Sequence, residues 1–176
     1  MIDINDPDMK EIVIEFCNES DSLIEELNDY LDTFEEDPSA GDLLEKYGQT
    51  IDRIMGAAKT LGLNEIGSLC QMGKIIGYKG SQAGNPSLQE VVGGVLFDLT
   101  DLLQVLVGNV RTGENEHDFN LKTFNDRLIW LNDKLKHIDR SSCSFDEEEQ
   151  KKGKEKTTTT AELDKLINQF NKAGIR

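Results

Sequence analysis

Apolar residues recur along most of the chain at three- and four-residue intervals, the spacing that gathers them on one face of a helix. Between about 7 and 35 they fall at Ile12, Phe16, Leu23, Leu27, Tyr30, Leu31 and Phe34. Pro7 suits a first helical turn, with Asp6 as cap and Asp8 and Glu11 near the positive end of the helix dipole. "EEDPSAG" then stops the helix. A second helix is predicted over about 40–61, its apolar face made of Leu43, Leu44, Tyr47, Ile51, Ile54, Met55, Ala58 and Leu61. Gly62 closes it and Asn64 is placed to cap the next, over about 65–79. "YKGSQAGNPS" at 78–87 reads as a loop. The fourth helix, about 88–111, is apolar through most of its middle, which suits a central position. After "RTGENEHD" a fifth runs over about 118–138 with Leu121, Phe124, Leu128, Trp130, Leu131, Leu135 and Ile138. No period-two alternation bounded by hairpin turns interrupts this pattern.

Long helices joined by short connections favour antiparallel neighbours, so the expectation is an all-α, up-down bundle of about five helices over residues 1–138. From 139 to 159 the pattern dissolves. "DRSSCSFDEEEQKKGKEKTTTT" is polar and charged, the composition of a disordered linker. Order returns over 160–176: Thr159 and Glu162 form a Thr-x-x-Glu capping box. Leu163, Leu166, Ile167 and Phe170 follow at i, i+3, i+4 and i+7. A helix of about a dozen residues is marginal alone, so this stripe needs a surface, either the chain's own bundle or another protein.

Charge sharpens the picture. The chain of 176 residues has a net charge of −15. Residues 1–45 hold 16 acids and one base, Lys10, while the remainder holds 18 of each. All the excess charge therefore belongs to the first quarter, as a solvated acidic helix face or as a surface for a basic partner. Such a face repels nucleic acid and anionic membrane. The apolar run at 91–107 is broken by Asp98 and Asp101, so no membrane span is expected, and no secretory leader opens the chain. Cys17, Cys70 and Cys143 are scattered and odd in number, with neither metal spacing nor a disulfide framework. Together these features point to the cytoplasm.

One stretch of the second helix is unusual. "TIDRIMGAAKTLGLNEIG" at 50–67 narrows to Gly56, Ala57 and Ala58 beside the charged pair Asp52 and Arg53. Either small residues let two helices pack closely, or something outside approaches that surface. The acidic first helix, the Pro-containing turn, the small patch and "LGLNEIGSL" together resemble the histidine phosphotransfer (HPt) domain of the CheA chemotaxis kinases, over about residues 8–138. Gly56, Ala58, Thr60, Gly62 and Leu63 carry the register, and "FCNESDSLIEELNDYL" at 16–31 looks like that domain's first helix. The resemblance implies an HPt-like bundle whose small-residue surface admits a receiver domain. It also implies that the phosphorylatable histidine is missing: its position falls on Asp52, the following lysine on Met55, and the assisting histidine and glutamate on Gln71 and Lys74. A carboxylate does not replace the imidazole that forms a phosphoramidate. His117 and His137 lie near helix ends without the motif's context.

"TTAELDKLINQF" is similar to the peptide by which the flagellar switch protein FliM, and the phosphatase CheZ after a comparable tether, bind the response regulator CheY. Glu162, Leu163, Asp164, Leu166 and Ile167 match in register, while Thr160 and Ala161 replace Ser-Gln. The resemblances imply a partner class: a CheY-like receiver, or a chemotaxis or flagellar switch assembly holding one. Asp52, Met55, Gly56, Ala57 and Lys74 would dock it, and Glu162, Leu163, Asp164, Leu166, Ile167 and Phe170 would capture it. An enzymatic alternative stays open. Removing phosphate from a receiver aspartate needs a water held in line, and Asp52 with Gln49, three residues earlier on the same face, or with Gln71 across the hairpin, supplies the residue types. Lys74 is equally placed to pair with Asp52. No phosphate-binding loop and no metal motif is present, and no cofactor is expected beyond the Mg²⁺ a bound receiver carries.

Overall fold

The computed structural model describes residues 6–113, 121–138 and 165–169, without the side chains of 121–125. It is an all-α bundle: helices α1 (Lys10–Glu36), α2 (Asp42–Thr60), α3 (Asn64–Ser81), α4 (Pro86–Thr112) and α5 (Leu121–Leu135), with residues 165–169 helical as well. No strand occurs among the described residues.

Helices α1 to α4 close a ring in which each packs on the next and α4 returns to α1. Individual contacts fix the directions. Thr50 on α2 donates to Glu26 on α1 (3.1 Å), and Arg53 faces Glu19 (3.5 Å), so α1 and α2 are antiparallel. Cys17 on α1 lies against the Val107 carbonyl of α4, and Phe34 lies beside Gly93, again antiparallel. Arg111 near the end of α4 holds Asn18 and Asp21 of α1. Helix α5 packs on α4, where Arg127 pairs with Asp98.

The inner faces supply one continuous core, including Phe16, Leu27, Leu31, Tyr47, Ile51, Ile54, Leu69, Ile75, Leu99 and Leu103. Helix α4 sits centrally as its apolar middle implies, touching α1, α3 and α5. It is also the one described helix long and apolar enough to cross a membrane; 56% of that stretch is buried inside the fold, the expected condition of a core helix. Tyr47 is fully buried, and its hydroxyl meets the Thr100 hydroxyl at 2.9 Å while Thr100 donates to the Leu96 carbonyl at 2.8 Å. Outward on α1 stand Glu11, Glu15, Glu25, Asp29, Asp32 and Glu36, all exposed, so the acidic excess of the first quarter is a helix face in solvent.

Several boundaries move from their sequence expectations. Residues 6–9 form a turn rather than a helix start, with Asp6 Oδ1 accepting from the Asp8 amide. Asn64 is the first residue of α3 and caps nothing; Leu63 precedes it without a side-chain cap. The expected loop at 78–87 shrinks to 82–85, because α3 continues through Gly77 and Gly80. A Cβ on Gly77 would lie 2.7 Å from the Leu44 carbonyl oxygen, and one on Gly80 2.5 Å from a Val92 methyl. These glycines are contact points between helices, not chain breakers. Pro86 then opens α4 with Asn85 as a true cap, its Oδ1 accepting from the Leu88 amide. Gly62 ends α2 at φ 72° and Gly113 ends α4 at φ 73°, the left-handed conformation that favours glycine. The linker at 139–159, the capping box at Thr159 and Glu162, and His117 lie outside the described residues.

Candidate functional site on the α2–α3 hairpin

Helices α2 and α3 form the tightest pair in the bundle. Gly48, Gly73 and Gly77 line their seam: a Cβ on Gly48 would lie 2.8 Å from the Tyr78 ring, and one on Gly73 2.7 Å from Ile51 Cδ1. With side chains absent there, the antiparallel register brings position 52 level with position 74. Lys74 Nζ lies 2.8 Å from Asp52 Oδ1. The lysine side chain is 17% exposed and the carboxylate 38%, so the pair sits on the rim, with its anionic half open to water. Two turns further along α2, Lys59 donates to Gln71 Oε1 at 3.0 Å. Two polar bridges thus cross the hairpin on one side of a shallow surface. Cys70 is fully buried, and burial pushes its thiol well above the ordinary 9.0, so it stays a neutral core residue.

Between the bridges the surface is bare of large side chains only at Gly56 and Ala57, and the Thr60 hydroxyl donates to the Gly56 carbonyl at 3.0 Å. Ile54 and Ala58 point into the core, while Met55 and Ala57 are half-buried and Gly56 is exposed. A Cβ built on Gly56 meets nothing within 4 Å, and its φ is not positive. Neither packing nor backbone conformation requires glycine there. A glycine inside a helix costs about 0.5–1 kcal/mol relative to alanine. The close α2–α3 approach comes from Gly48, Gly73 and Gly77 instead; Ala58 is fully buried, while packing does not account for Gly56.

Of the residues singled out from the sequence, Asp52, Met55, Gly56, Ala57, Gln71 and Lys74 come together on this hairpin. Gln49 is exposed one turn before Asp52, with its amide 3.5 Å from Glu45 of its own helix. Gln71, placed by the sequence opposite Asp52, pairs instead with Lys59, and Lys74 takes the carboxylate. Lys59 was missed, although its position seven residues after Asp52 puts it on the same face. Chemically, the patch offers a held carboxylate, two engaged lysines and a bare strip of backbone, with no imidazole. No group of three His, Cys, Asp or Glu residues able to hold a metal occurs among the described residues.

The terminal segment divides. Glu162, Leu163, Asp164 and Phe170 lie outside the described residues. Leu166 and Ile167 are buried, 8% and 3% exposed, and belong to the core that also contains Leu128, Leu131 and Leu135 of α5. No protein-family model, curated protein or solved structure matches this chain.

Proposed function

We propose that the protein is a non-phosphorylatable, HPt-like interaction module of two-component signalling, and that the α2–α3 hairpin docks a CheY-type receiver domain in the cytoplasm. The observation that carries this reading is the setting of Gly56, a glycine near the end of α2 that no neighbour and no φ demands, exposed between Ala57 and the Asp52–Lys74 bridge, a setting that the equally unconstrained Gly108 of α4 lacks. A residue that lowers helix stability without serving the fold fits a surface kept low for an incoming backbone. Charge agrees with the reading, because the acidic outer face of α1 disfavours nucleic acid and anionic membrane as partners. Docking without a phosphoacceptor histidine would occupy the receiver without passing its phosphoryl group on.

Titration of the chain against CheY-type receivers tests this, with Gly56→Leu as the blocking variant and Gly108→Leu as its control. Gly108 is also helical and meets nothing within 4 Å, but lies on α4. The reading predicts that only Gly56→Leu abolishes binding. Equal loss in both, or in neither, moves the site off this hairpin.

The phosphatase alternative has less support. Asp52 is paired with Lys74 and Gln71 with Lys59, so of the two glutamines only Gln49, exposed one turn before Asp52, is left beside the carboxylate on α2.

A further inference from the structure

The terminal segment matches a receiver-binding peptide in sequence, yet the two residues at the end of that match are buried in the chain's own fold. Leu166 and Ile167 are 8% and 3% exposed, while Lys165, Asn168 and Gln169 beside them are exposed. This is one helical turn with an apolar edge turned inward. Leu166 and Ile167 belong to the same continuous core as the buried faces of the bundle helices. The bundle therefore already has an occupant for the question raised by the amphipathic stripe, and that occupant is residues 165–169 of the same chain.

We propose that this contact is a latch: the bundle and an external receiver compete for Leu166 and Ile167, so the terminal peptide is released from the bundle before a receiver can hold it. The proposal rests on the reading of 160–176 as a receiver-binding peptide. The physical reason is exclusivity, since one apolar edge buries against one surface at a time. Covalent connection favours the bundle, because an intramolecular partner acts at an effective concentration on the order of millimolar. A peptide that is free only a fraction of the time binds more weakly in proportion to that fraction. A latch open one time in ten thus weakens capture about tenfold.

Two measurements test it. A synthetic peptide of residues 157–176 and the full chain carrying Gly56→Leu, which removes docking at α2, are titrated with one activated CheY-type receiver. The peptide is expected to bind about tenfold or more tightly than the chain, and amide exchange at residues 165–169 of the chain is expected to change as receiver is added. Equal affinities with unchanged exchange at residues 165–169 overturn the latch. Separately, a protease site is introduced after Gln150 and cut, and the products are run on size exclusion without receiver. The terminal fragment should elute with the bundle, and separate elution overturns the docking itself. If the fragment co-elutes but the synthetic peptide binds no receiver, the receiver-peptide reading fails and competition fails with it, while the internal contact stands.

Discussion

Gly56 and Gly77 sit in neighbouring helices of the same hairpin, and alanine should move stability in opposite directions at the two sites. At Gly56 the new methyl meets nothing within 4 Å on a helical backbone without positive φ. Only helix propensity and unfolded-state entropy change, so Gly56→Ala should stabilise by about 0.4–1 kcal/mol. At Gly77 the methyl lies 2.7 Å from the Leu44 carbonyl oxygen, and 3.4 and 3.5 Å from the Gly48 amide nitrogen and Cα. All three are backbone atoms of α2, which no rotamer change can move. Relief requires α2 and α3 to separate, loosening the seam that Ile51 and Tyr78 fill. Overpacking of this kind costs about 1–3 kcal/mol, and contact with backbone puts it in the upper part of that range. Propensity returns about 1 kcal/mol, so Gly77→Ala should destabilise by about 1–2 kcal/mol on the same scale. For a chain of 176 residues, each kcal/mol moves Tm by about 2–4 °C. Urea unfolding followed by far-ultraviolet circular dichroism reads both variants, with the m-value expected to hold. A Gly77→Ala protein as stable as the parent, or a destabilised Gly56→Ala, would refute the assignment of Gly77 to the seam and of Gly56 to an open surface.

Other consequences are narrower. Tyr47→Phe removes the buried hydrogen bond to Thr100 and should cost about 1–2 kcal/mol in urea unfolding. Asp52→Asn breaks a bridge on the rim, where the carboxylate is 38% exposed, and should change stability by under about 1 kcal/mol. Burial raises the Cys70 thiol above its ordinary 9.0, so the folded state holds a proton that the unfolded state releases. Stability is therefore fully present below pH 9 and falls as pH rises above it, by about 1.4 kcal/mol per unit for each such group. Cys70→Ala should flatten that alkaline decline in pH-dependent urea titrations. Finally, a docking module without hydrolytic machinery leaves the decay of a phosphorylated CheY-type receiver unchanged, and acceleration would instead favour the phosphatase reading.

Helical periodicity made the helices legible, because each buries a single stripe against its neighbours. Phe16, Leu27 and Leu31 on α1, and Ile51 and Ile54 on α2, fall inside where their spacing places them. The end of α3 was not legible. Glycine, serine and proline at 77–87 carry turn chemistry, and only the approach of Leu44 and Val92 reveals that Gly77 and Gly80 serve packing. In the candidate site, the shared face of Asp52, Met55 and Gly56 followed from helical spacing. The choice of Lys74 over Gln71 as partner of Asp52 depended on the register between two helices, which spacing within one helix does not contain. The terminal stripe was visible as amphipathic, but the surface it meets is a tertiary fact carried by Leu166 and Ile167.

The central claim is that a receiver docks on the bare strip of α2. Amide chemical-shift mapping of the labelled chain, titrated with an unlabelled CheY-type receiver, tests it most directly. The account predicts perturbations concentrated at Asp52, Met55, Gly56, Ala57, Gln71 and Lys74. Perturbations confined to the acidic face of α1 or to α5, with the α2–α3 hairpin silent, would contradict it.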